Sequence, residues 1–177
     1  MHHWVNMRYF WVDEAKEGTS VRKPFFNQIH FHSDEDWVIG ELLLLRVYYF
    51  LPALRDAVYY VKRLHEEHGY RFHCITSLSL DPNAQRLREM NLHKLFGATA
   101  FERVVCLDTG AHKDDALEEY EGTGCYWIED KPENAEAGYQ VGLNPLIVEH
   151  GHNMHYYHEH IPLVKNWKHI FEIITRP

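Results

Sequence analysis

Cysteine is scarce in this chain. Cys74, Cys106 and Cys125 are all there are, an odd number, and each falls inside an apolar run. That excludes a disulfide framework and reads as buried thiols in a reducing compartment, so a cytoplasmic location is expected. Basic residues are also outnumbered: 18 Lys and Arg stand against 26 Asp and Glu, for a net charge of −8. Such a balance carries no global electrostatic footprint for nucleic acid. Long hydrophobic runs are missing too. The most apolar stretch, Leu42 to Leu51, is interrupted by Arg46 and closed by Pro52, too short to cross a bilayer. No secretory pattern opens the chain, so neither a leader nor a membrane span is expected. Internal repeats and low-complexity segments are absent as well.

What is present is globular in character: 177 residues, 45% hydrophobic and 14% aromatic. That is one domain with a real core. From residue 51 the pattern is regular. Leu54, Ala57, Val58, Val61 and Leu64 recur at helical spacing, and Gly69 is placed to cap that helix. A strand over Tyr70–Ile75 follows, ending at Thr76 and Ser77. Asp81-Pro82 opens a second helix with Leu87, Met90 and Leu95 as its apolar residues, stopped by Gly97. Next come a strand over Val104–Leu107, a helix over Lys113–Tyr120, a strand at Tyr126, a helix from Pro132 to Tyr139 and a strand over Leu146–Val148. A last helix runs from Pro162 to Ile174. Strand and helix alternate four times, with connections too long for hairpins. The expected fold is therefore α/β, a Rossmann-like parallel sheet flanked by helices. The expected organisation is one domain over 1–177: an α/β core over 51–177 and an irregular or cap-like region over 1–50.

Three polar features fall at the carboxyl ends of successive strands, where ligands of open α/β sheets bind. They are Thr76-Ser77, then Lys113, then the adjacent acids Glu129-Asp130 before Pro132. Each has a plainer reading by itself: a strand end, a solvated lysine, an acid pair serving a helix N-terminus. Together they are the parts needed to hold a phosphate beside Mg²⁺, with hydroxyl and ammonium on phosphoryl oxygens and carboxylates on the metal.

Ile75-Thr76-Ser77, Lys113 in HKDDALEEY, and Trp127-Ile-Glu129-Asp130-Lys-Pro are similar to the second, third and fourth motifs of the haloacid dehalogenase-like (HAD) superfamily of phosphohydrolases. The resemblance covers about residues 50–175. Within it, FHCITSLSLDPN and IEDKP resemble the 5′(3′)-deoxyribonucleotidase branch and its bacterial and phage relatives. The resemblance implies a Mg²⁺-dependent hydrolase of small phosphomonoesters, with nucleoside monophosphates as the substrate class. It also implies that Thr76, Ser77 and Lys113 bind the phosphate and that Asp130 and Glu129 hold the metal. The family's first motif, an early strand ending Asp-x-Asp, is not present in full. Tyr9–Val12 followed by Asp13 has Ala15 at the second acid position; Asp34-Glu35-Asp36 has both acids but a poor strand before it. Asp13, Asp34 or a missing or replaced first strand stay open. A chain without the nucleophile would be a phosphate-binding or interaction protein instead.

The segment from His150 to His160 holds five histidines in eleven residues. Its spacing matches no fixed metal motif, so a loop beside the pocket is expected, with a zinc site as the alternative.

Overall fold

A computed structural model of the protein describes residues 4–7, 51–54 and 56–176, the first of these as backbone. Among them are six strands and five helices: β1 Trp4–Met7, α1 Ala57–His68, β2 Arg71–Ser77, α2 Pro82–Phe96, β3 Phe101–Leu107, α3 Asp114–Leu117, β4 Tyr126–Glu129, α4 Pro132–Gln140, β5 Asn144–Val148, β6 Leu163–Val164 and α5 Trp167–Ile174. The strands form one sheet in the order β3-β2-β1-β4-β5-β6. All five neighbouring pairs are parallel. This is the expected Rossmann-like arrangement of a parallel sheet flanked by helices.

Short apolar runs, Val104–Leu107 in β3, Tyr126–Ile128 in β4 and Leu146–Val148 in β5, lie in the strands because helices cover both faces of the sheet. Alternation along β2 and β4 sorts their side chains. Phe72, Cys74 and Ile128 join Val61, Leu64, Leu92, Phe96 and Ile170 in the core under α1, α2 and α5. Ile75 and Trp127 point the other way, into a second core with Leu117, Tyr120 and Leu143. The helices start and stop where their sequences provide for it. Asp81 caps α2 by accepting from the Asn83 N–H at 2.9 Å, with Pro82 in the first turn. Gly69 ends α1 in the left-handed conformation, φ 72°.

Three local expectations change. The last helix starts at Trp167 rather than Pro162, because Leu163 and Val164 pair with Ile147 and Val148 as a sixth strand. Asn166 is its true cap, accepting from the His169 N–H at 3.0 Å. The second helix buries Ala84, Arg88, Asn91, Leu92 and Phe96, whereas Met90 is exposed. Arg88 donates to Asn91 and Asn91 to the Leu51 carbonyl, so paired polar groups lie where apolar ones were expected. Finally, β1 lies at Trp4–Met7, ahead of the Tyr9–Val12 run, and enters the middle of the sheet.

Candidate functional site

β1 is the hinge of the topology: β2 and β3 lie on one side, β4, β5 and β6 on the other. Asn6 of β1 pairs with His73 on β2 and with Trp127 on β4. Thr76 and Asp130 are each three residues further along from those partners, so they stand level at the carboxyl edge. Two strand spacings, about 10 Å, separate their backbones. That gap is wide enough for a phosphoryl group.

The loop from β3 to α3 is stitched to the end of β2. Ser77 Oγ donates to the Ala111 carbonyl at 2.7 Å, Thr109 Oγ1 donates to the Leu78 carbonyl at 2.7 Å, and the Leu78 N–H donates to the Leu107 carbonyl at 3.0 Å. Ser77, expected as a phosphate binder, thus also orients the loop that delivers Lys113. Thr76 is buried, with its side chain on the opposite face of β2 from Ser77.

Lys113 immediately precedes α3 and is wholly buried. Its ammonium donates to Oε1 of Glu129, also wholly buried, and lies 4.9 Å from the centre of the Trp127 ring. Glu129 shares a face of β4 with Trp127, the face that α3 and α4 cover, which is why the lysine can reach it. The remaining valences of Glu129 are also engaged. Oε2 accepts from the N–H groups of Asp130 and Lys131, at 3.1 and 3.4 Å, and Oε1 from Asn134 Nδ2 at 3.3 Å. The expected carboxylate pair is therefore divided in its work. Glu129 neutralises and aims Lys113, and Asp130 is left to face the edge.

Asp130 has an oxygen to spare. Among the described residues its Oδ1 is buried without a hydrogen-bond partner, and its Oδ2 lies 3.8 Å from His152 Nε2. A buried carboxylate oxygen without a partner is costly. A hard cation would remove that cost, so the site fits Mg²⁺, which needs only one or two carboxylates and completes its shell with water and phosphate oxygens. Among the described residues no group of three or more His, Cys, Asp or Glu is assembled. Other protein ligands would have to come from outside them.

Four of the five histidines divide into two sets. His150 and His152 stack 5.9 Å apart beside Asp130, while His158 and His160 pack on Tyr139 at 5.3 and 5.7 Å. Cys106, paired in register with Thr76, is no substitute nucleophile, because burial pushes its thiol up to about 11. Asp13 and Asp34 lie outside the described residues. In the sequence, β1 is followed by Arg8-Tyr9-Phe10, and the first carboxylate after it is Asp13. Sequence reasoning missed Asn153, whose buried side chain donates to the Asp130 carbonyl at 2.7 Å. A lone asparagine among histidines gave no signal.

No protein-family model matches this chain, and no curated protein sequence does. Solved structures match its fold. D,D-heptose 1,7-bisphosphate phosphatase from B. bronchiseptica, complexed with magnesium and phosphate, is 14% identical with a TM-score of 0.56, over 69% of this chain and 83% of that one. The enzyme of the same name from Burkholderia thailandensis is 15% identical, TM-score 0.56, over 73% and 90%. A HAD family hydrolase from Deinococcus radiodurans with bound phosphate and sodium is 14% identical, TM-score 0.51, over 80% and 67%. The shared feature at these identities is the fold, and it is the HAD-like one.

Proposed function

We propose that the protein is a Mg²⁺-dependent HAD-type hydrolase of small phosphomonoesters, with nucleoside monophosphates as the substrate class. The observation that carries this reading is the open, buried Oδ1 of Asp130, level with Thr76 and next in sequence to a glutamate that holds a buried lysine. In this reading the Thr76 hydroxyl and the Lys113 ammonium contact phosphoryl oxygens, with Ser77 near them. Lys113 offsets negative charge as it develops. Glu129 holds the lysine, and Asp130 holds the cation, which when bound neutralises phosphate charge. The attacking carboxylate would come from Asp13 or Asp34. Such a nucleophile splits one difficult displacement into two easier ones through an acyl phosphate. The nucleotide class rests on the FHCITSLSLDPN and IEDKP segments.

A second reading has its own observation: Arg8-Tyr9-Phe10 follows the central strand where a carboxylate would be wanted. A chain with no nucleophile would bind phosphate and release it unchanged. A panel of phosphate esters and nucleoside monophosphates, assayed in Mg²⁺ with wild type, Asp13→Asn and Asp34→Asn, separates the two. Turnover abolished by one Asn variant, and beryllium fluoride binding lost with it, supports the hydrolase; silence from the wild type supports the binding protein. For the cation, Asp130→Asn should abolish any Mg²⁺-dependent rise in melting temperature while leaving the metal-free protein as stable as wild type. A wild type that melts identically with and without millimolar Mg²⁺ would remove the metal from this proposal.

A further inference from the structure

We propose that Asn153 is the positioning residue for the cation-holding carboxylate, and that the histidine-rich loop exists at this edge to carry it. The inference rests on the reading of Asp130 as the cation ligand. β4 and β5 are neighbours whose described pairing ends at Glu129 and Ile147. Beyond that point the ladder no longer holds the chain, and Asp130 is the first residue past it. The Asn153 side chain takes over. Its Nδ2 donates to the Asp130 carbonyl at 2.7 Å and to the Val148 carbonyl at 2.8 Å, tying the end of β4 to the end of β5. Its Oδ1 accepts from the His150 N–H at 2.7 Å, and its own N–H donates to the His150 carbonyl at 3.0 Å. Every polar atom of the side chain is used, and the residue is buried.

The same loop grips Asp130 a second time. His152 Nε2 lies 3.0 Å from the Asp130 carbonyl, which can only accept, so that nitrogen carries the proton. Two donors on one carbonyl oxygen fix the peptide that follows Asp130, and with it the direction in which the carboxylate leaves the backbone. A free oxygen in a buried place is useful only if it is held there; otherwise the side chain would rotate to water. Cation ligands are oriented in this way by the groups behind them. Aspartate at position 153 would keep the bond from His150 but set a second oxygen against two carbonyl oxygens. Serine would be too short to reach both.

The test uses the full chain and Mg²⁺ alone. Mg²⁺ affinity is measured by calorimetry, and the Mg²⁺-induced melting shift is followed in parallel, for wild type, Asn153→Asp, Asn153→Ser and Ile170→Val. Ile170 is buried between α1 and α5, so its variant reports the effect of lost stability alone. Variants at 153 should bind Mg²⁺ about 10–100-fold more weakly, with unchanged far-ultraviolet circular dichroism. Ile170→Val should bind as wild type does. Wild-type affinity in both variants at 153, or an equal loss in Ile170→Val, overturns the positioning role and leaves the cation site standing. A wild type that binds no Mg²⁺ overturns both.

Discussion

The buried pair of Lys113 and Glu129 supports a prediction whose sign and size both follow from its surroundings. Neither side chain has measurable solvent exposure. Removing one partner takes a buried counter-charge from the other, at a cost of about 3–5 kcal/mol, whereas replacing both is often neutral or stabilising. Lys113→Met leaves the Glu129 carboxylate with the N–H groups of Asp130, Lys131 and Asn134. Glu129→Leu leaves the ammonium over the Trp127 ring. Those residual contacts place both single variants toward the lower end, about 3 kcal/mol. For a domain of this size that corresponds to a fall in melting temperature of roughly 6–12 °C. The double variant Lys113→Met, Glu129→Leu should recover most of the loss. Urea denaturation of all four proteins gives the coupling directly, and it should exceed about 1.5 kcal/mol. Single variants within about 0.5 kcal/mol of wild type, or a double variant whose loss is the simple sum, would refute the idea that the two charges exist for one another. Phosphate binding should fail in every variant lacking Lys113, including the stable double one, which separates the lysine's task at the site from its part in the fold.

Two further outcomes follow from other contacts. Burial, aided by the charge of Arg103, lowers the pKa of His73, whose Nδ1 lies 2.7 Å from the Tyr120 hydroxyl. The unfolded chain takes up that proton near pH 6.5 and the native one only below it, so the stability His73 provides is full above about 6.5 and falls away with acid. His73→Gln should flatten the loss of urea stability between pH 7.5 and 5; parallel wild-type and variant profiles would contradict this. Gly138 has no room for a side chain, since a Cβ there would lie 2.4 Å from Trp127 Cδ1. Gly138→Ala should cost about 1–3 kcal/mol and shift the Trp127 ring beneath Lys113, read as lower thermal stability with altered tryptophan emission. Unchanged melting and emission would show that the ring yields freely.

The sheet and its helices were legible in the sequence because their signals are local. β2, β3, β4 and β5 each contain a short apolar run, and the caps at Asp81 and Gly69 are written in adjacent residues. The placing of Thr76, Lys113 and Asp130 at strand ends was readable for the same reason. The division of labour between Glu129 and Asp130 was not. Two neighbouring acids look alike in sequence, and only strand alternation against α3 sends one to the lysine and leaves the other with an open oxygen. Asn91 on the buried face of α2 broke the periodic rule because its acceptor, the Leu51 carbonyl, lies elsewhere in the chain, and Arg88 lies beside it donating to the Asn91 side chain. β6 is two residues long and is defined by its neighbour, not by any pattern of its own. Likewise β1 owes its place between β2 and β4 to pairing across more than sixty residues of chain, and Asn153 reaches Asp130 across a gap of 23. Sequence periodicity reports which way a segment faces. Which segment it faces is decided by long-range closure of the sheet, and that is a property of the whole fold.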